Sequence, residues 1–109
     1  MNSILNNANI EVSEKMEEQK DENTIYVGKK SVMSYVLAVV TQFNQGAPEV
    51  KLKARGRSMS IAIDASQIIK NRFIPTLQFK EIKLGTEELT SEDGSTSKVS
   101  SIEIIMNKG

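Results

Sequence analysis

The chain has 109 residues, 39% of them hydrophobic and 26% charged, with a formal net charge of zero. This is the size and composition of one globular domain, and the absence of cysteine and histidine excludes disulfides, thiolate or imidazole metal sites, cysteine nucleophiles and histidine-based triads. Aromatic residues at 5% argue against a broad stacking platform for single strands, and no apolar run approaches the roughly 18–20 residues of a membrane helix, so neither membrane insertion nor secretion is expected.

Residues 1–23 carry six acids (Glu11, Glu14, Glu17, Glu18, Asp21, Glu22) and two bases (Lys15, Lys20); residues 24–109 carry twelve bases and eight acids. The zero net charge therefore hides an acidic extension and a basic body. The extension has no aromatic residue and too little apolar surface to form a core, so disorder is expected there. Met16 is an alternative start that would leave only eight residues before Thr24. A split of this kind fits a polyanion-binding body with an acidic tail, and equally a solvated tail on an ordinary surface.

Residues 24–28 read as a short strand with Ile25 and Val27 on one face. Ser31 is an N-cap for a helix whose stripe is Val32, Val36, Val39, Val40 and Phe43, ended by Asn44-Gln45-Gly46 with Pro48 blocking continuation. Residues 49–55 alternate: Val50, Leu52 and Ala54 inward, Lys51, Lys53 and Arg55 outward. After Gly56 a second helix starts at Ser58 or Ser60 and runs to about Asn71. Its rows are Met59, Ala62, Ile63, Ser66 and, beside them, Ile61, Ala65, Ile68, Arg72. Residues 77–89 form a long strand whose phase slips at Lys80-Glu81, a bulge or a face swap. Glu92-Asp93-Gly94-Ser95 is a turn, and a last strand from about Lys98 to Met106 turns Ile102, Ile104 and Met106 inward. The tip of this hairpin, roughly 86–100, is too polar for a core and projects as an arm. The order βαβαββ predicts an α/β two-layer sandwich: a mixed four-stranded sheet, two helices and the projecting β-hairpin arm.

If the first two strands are parallel, their β-to-α loops share one end of the sheet. Those loops carry Lys29-Lys30 and Arg55-Gly56-Arg57, with Lys53 just before. Each precedes a helix N-terminus, which presents free N–H groups and partial positive charge. Two such loops side by side suit a polyanion, and Arg forks and Lys point charges suit phosphate. A phosphorylated small molecule or plain solvation of the loops also fits. Gly28-Lys29-Lys30-Ser31 lacks the upstream glycine of a P-loop, whose place is taken by Asn23. The acids of the body show no pairing that suggests acid–base catalysis; Asp64, within the second helix, suits a structural role as a buried partner for an arginine. The acids near the hairpin tip are expected to be solvated rather than to bind a cation.

Six dispersed blocks carry a resemblance: Val27-Gly28-Lys29-Lys30, Val32-Met33-Ser34-Tyr35-Val36-Leu37, Phe43-Asn44-Gln45-Gly46, Lys53-Ala54-Arg55-Gly56-Arg57, Asn71-Arg72-Phe73-Ile74-Pro75, and Ser91-Glu92-Asp93-Gly94 with Val99-Ser100-Ser101-Ile102-Glu103-Ile104. Together they resemble the Alba family of archaeal chromatin proteins, over about residues 24–108. The resemblance implies a homodimer that binds double-stranded DNA and RNA without sequence preference, needs no cofactor or metal, catalyses nothing, and sits on the chromosome in the cytoplasm. It implies phosphate contacts at Lys29, Lys30, Arg55 and Arg57, to which Lys53 and, in the arm, Lys98 are added. It also implies an acetylation target at Lys29, or else Lys30, and a dimer–dimer contact at Phe73, which could otherwise be core. The arm departs from the family pattern: Lys98 is its one obvious base, beside acids at 87, 88, 92 and 93. The acidic extension is a second departure and is expected to compete with nucleic acid for the basic loops. Two neighbouring readings stay open, an RNA-directed ribonucleoprotein subunit and a weak-binding paralogue that modulates an Alba-like partner in a heterodimer.

Overall fold

The computed structural model describes residues 23–109. Of the expected tail at residues 1–23, residues 1–22 lie outside the described residues, as does its proposed competition with the loops. Asn23 already belongs to the body: its carbonyl accepts the Lys51 N–H at 3.0 Å.

The elements are β1 (Thr24–Tyr26), α1 (Val32–Asn44), β2 (Glu49–Arg55), α2 (Ser58–Ile68), a π-helical turn (Ile69–Phe73), β3 (Gln78–Thr90) and β4 (Thr96–Asn107). The sheet order is β1-β2-β4-β3, with β1 parallel to β2 and the other neighbours antiparallel. The expected mixed four-stranded sandwich is the one observed. Val50, Leu52 and Ala54 of β2 and Ile102, Ile104 and Met106 of β4 face the helices, where Val36, Val39 and Phe43 of α1 and Ala62 and Ala65 of α2 complete the core. The alternation in residues 49–55 works because the opposite sheet face carries no helix, so every second side chain meets water. Gly46 follows α1 at φ +100°, a conformation that costs other residues strain.

Two expectations for α2 need correction. Ile63 is exposed, and Asp64 is exposed rather than buried against an arginine. The helical face turns inward at Ala62, Ala65, Ser66 and Ile69, so the small residues bring α2 close to the sheet, and Ile69 fills the space beyond them. The chain leaves the helix through the π-helical turn, with the Ile74 N–H donating to the Ile69 carbonyl at 2.7 Å. Pro75 cannot continue a helix. The Lys70 ammonium caps this end by donating to the carbonyls of Pro75 at 3.2 Å and Leu77 at 2.8 Å.

The phase slip in β3 is a bulge: Phe79 pairs with Met106 and Glu81 with Ile105, leaving Lys80 as the extra residue. Beyond it the ladder continues to Thr90↔Thr96, so the arm is a regular two-stranded ribbon almost to its tip, with strands longer than the hydrophobic pattern indicates. It gives the molecule its 45 Å long axis. At the tip the Asp93 carboxylate accepts the Ser95 N–H at 3.0 Å and the hydroxyls of Ser95 at 2.7 Å and Ser91 at 2.8 Å. These bonds, the Ser95 amide foremost, hold the Asp93 pKa down at about 2 from the ordinary 3.8. A lowered carboxyl pKa stabilises the folded turn above the ordinary value and loses that effect as pH falls through the lowered one. A carboxyl-carbon NMR titration of Asp93 should therefore give a midpoint near 2, with the Ser95 amide resonance following the same curve.

Candidate nucleic-acid interface

Parallel pairing of β1 with β2 puts their carboxyl ends side by side. The loop from β1 to α1 carries Lys29 and Lys30, both exposed; Arg55, the last residue of β2, and Arg57, in the loop from β2 to α2, are also exposed. The Ser58 hydroxyl donates to the Gly28 carbonyl at 3.3 Å and ties the two loops together. Gly56 takes φ +59°, which explains glycine between the arginines, and its N–H donates to the Ser100 carbonyl at 2.9 Å, anchoring the second loop to β4.

The first loop has its own anchor. Tyr35 is buried in the second turn of α1, and its hydroxyl accepts the N–H groups of Gly28 at 2.8 Å and Lys30 at 3.0 Å. These bonds fix the backbone on both sides of Lys29, so its side chain and that of Lys30 leave a rigid base. Tyr35 was not singled out in the sequence as a site residue, although it completes the stripe at i+3 from Val32. The sign was a polar hydroxyl on an otherwise apolar helical face, seven residues after a glycine loop.

Neither helix has an acid in its first turn. Ser31 occupies the N-cap of α1 in extended conformation without a side-chain capping bond, and its hydroxyl pairs instead with that of Ser34 at 3.1 Å. Two positive helix ends thus lie beside four bases with no carboxylate in either first turn to offset them, an arrangement that an anion stabilises.

The remaining candidate bases lie elsewhere. Lys53 is on the open sheet face, its ammonium 5.7 Å from the centre of the Tyr26 ring. Lys98 is out on the arm, opposite Glu88 in register. Arg55 already has a partner, donating from Nη1 to the Glu87 carboxylate at 3.0 Å. Among the described residues the other ion pairs are Lys80–Glu49 at 3.0 Å and Lys51–Glu103 at 3.8 Å; Lys29, Lys30 and Arg57 form none. Phe73, at the end of the π-helical turn, is 41% exposed, so it is not core.

A family model described as Alba matches residues 23–86, more than half of the chain. The chain belongs to the Alba family. The DNA/RNA-binding protein Alba 1 of Archaeoglobus fulgidus is 55% identical over 87 residues, covering 80% of this chain and 97% of that protein. The DNA/RNA-binding protein Alba of Thermoplasma acidophilum is 53% identical over 88 residues, covering 81% and 98%. Among solved structures, Alba from Thermoplasma volcanium superposes with a TM-score of 0.74 at 52% identity, covering 78% of this chain and 99% of that one. An Alba protein from Trypanosoma brucei, at 20% identity, TM-score 0.61 and coverage of 80% and 70%, shares the fold.

Within this Alba domain the Tyr35 hydroxyl is the feature most open to a direct check. Tyr35→Phe removes the acceptor of two N–H groups and should destabilise the fold by about 1–3 kcal/mol. In hydrogen exchange, the amides of Gly28 and Lys30 should lose protection before those of β2.

Proposed function

We propose that this chain is a sequence-nonspecific, architectural DNA-binding protein that also binds RNA, coating and compacting the chromosome through phosphate contacts. The observation that carries this reading is the pair of tied loops: Lys29, Lys30, Arg55 and Arg57 beside two helix N-termini without first-turn acids. The names of its relatives, which are DNA/RNA-binding proteins, support the same ligand class. Phosphate contacts carry no base information, so affinity should be similar on all sequences. We assign no catalysis and no cofactor to the chain. Acetylation of Lys29, or of Lys30, would remove one positive charge from the rigid loop and weaken binding. Lys53 and Lys98 would serve as outlying contacts reached only by a long or bent ligand. We place it on the chromosome in the cytoplasm, as its proposed ligand implies; among the described residues no helix is long and apolar enough to cross a membrane.

The test is binding to a random duplex of about 30 base pairs and to a matched RNA hairpin across a salt series. Four bases in each of two protomers make about eight contacts, and the log–log salt slope has an upper estimate near −7. Arg57→Gln should weaken binding to every sequence alike and make the slope shallower by up to about two for the dimer. A strong preference for the hairpin would favour an RNA-directed role, and no binding at low salt would sink the reading.

We further propose that the active form is a homodimer built on β3. Ile82 and Leu84 stand opposite Ile104 and Ile102, on the helix side of the sheet, yet are 55% and 79% exposed. The helices cover β2 and β4 and stop short of this edge, so a second copy of the same strip would bury it. Leu84→Asp should shift the chain to monomer in sedimentation velocity while its circular dichroism stays native, because Leu84 contributes nothing to the core of one protomer. A dimer that survives this change would place the interface elsewhere. Phe73, on a separate exposed site, is proposed to join dimers side by side.

A further inference from the structure

Arg55 ends β2 on the sheet face away from the helices. Its neighbours across the sheet are Ser101 on β4 and Gly85 on β3. This row is low: a Cβ on Gly85 would already come within 3.2 Å of the Ser101 hydroxyl. The guanidinium therefore lies across β4 and reaches Glu87, the next residue of β3 on the same face, with Nη1 and Oε1 3.0 Å apart. The register partner of Glu87 is Val99, which offers no charge; Glu88 points to the other face, opposite Lys98.

An ion pair this exposed adds little to stability. Its consequence lies in the arginine, because carboxylate and phosphate oxygens compete for the same N–H fork. We infer that Glu87 is an intramolecular competitor for phosphate at Arg55, an internal anion that nucleic acid must displace, and that it sets the affinity and salt dependence of the interface. The inference rests on the nucleic-acid reading above. When phosphate takes the guanidinium, the Glu87 carboxylate is left beside a polyanion and draws in a cation. Net counterion release at Arg55 is then smaller than at an unpaired base such as Arg57. Displacement also removes the side-chain tie between the end of β2 and β3, while the backbone bonds from β2 and Gly56 to β4 remain.

The experiment compares the full chain with Glu87→Gln on the same random duplex over a salt series. Glu87→Gln should bind about two- to five-fold more tightly near physiological salt, with a log–log slope steeper by up to about one per protomer. Glu88→Gln removes the same charge from the opposite face and should give a clearly smaller gain. In an Arg55→Gln background, the gain from Glu87→Gln should shrink to that of Glu88→Gln. Equal or weaker binding by Glu87→Gln would overturn the inference, since Glu87 would then orient Arg55 or be idle. A gain that persists without Arg55 would also overturn it, since the effect would belong to the general field. If neither the full chain nor Glu87→Gln binds at low salt, the nucleic-acid reading falls and takes the inference with it. If both bind equally, only the inference falls.

Discussion

Everything functional in this fold depends on the parallel pairing of β1 with β2. Parallel neighbours need a crossover, and α1 supplies it. The crossover returns the chain to the same starting edge, so each strand ends where the other ends and each is followed at once by a helix. Two positive helix ends and four bases are thereby collected without any long loop. The cost of holding like charges together is met locally, by Tyr35 under the first loop and by the Ser58–Gly28 and Gly56–Ser100 bonds around the second.

A second constraint is a mismatch of lengths. β3 has 13 residues and β4 has 12, whereas α2 has 11 residues at a much smaller rise per residue. The helical layer cannot cover the whole ribbon. The uncovered part nearest the core keeps apolar residues, Ile82 and Leu84, and the part farther out turns polar and is closed by the hydrogen-bonded tip around Asp93. One hairpin thus serves first as core, then as an open apolar strip, then as a solvated arm.

The sequence patterns that proved legible are those in which one residue type repeats at a fixed interval. Alternation in 49–55 and in 102–106 located the core strands, the α1 stripe located its helix, and the change of parity at Lys80 located the bulge. The exposure of Ile63 and the burial of Ile69 were not legible, because the apolar arc of α2 is wide and only the packing of Ala62 and Ala65 on the sheet decides which side faces in. The resemblance to Alba proteins located the basic positions. It did not reveal what holds them: the Tyr35 hydroxyl is read as one more residue of an apolar face until its two amide partners are placed, and Glu87 lies 32 residues from Arg55. Contacts of that span leave no local periodicity.

The single extra residue at Lys80 has a wider effect than a local kink. A regular ladder continued from Phe79↔Met106 would set Ile82 opposite Glu103 and Leu84 opposite Ser101. The apolar strip would then share a side with Lys53 and Arg55, while Glu81, Lys83 and Gly85 would turn toward the helices. Self-association and polyanion contact would compete for the same surface. The bulge works as a half-twist switch in the strand: it hands the greasy edge to one side of the sheet and the charged edge to the other, so that the proposed dimer contact and the proposed polyanion contact fall on different sides.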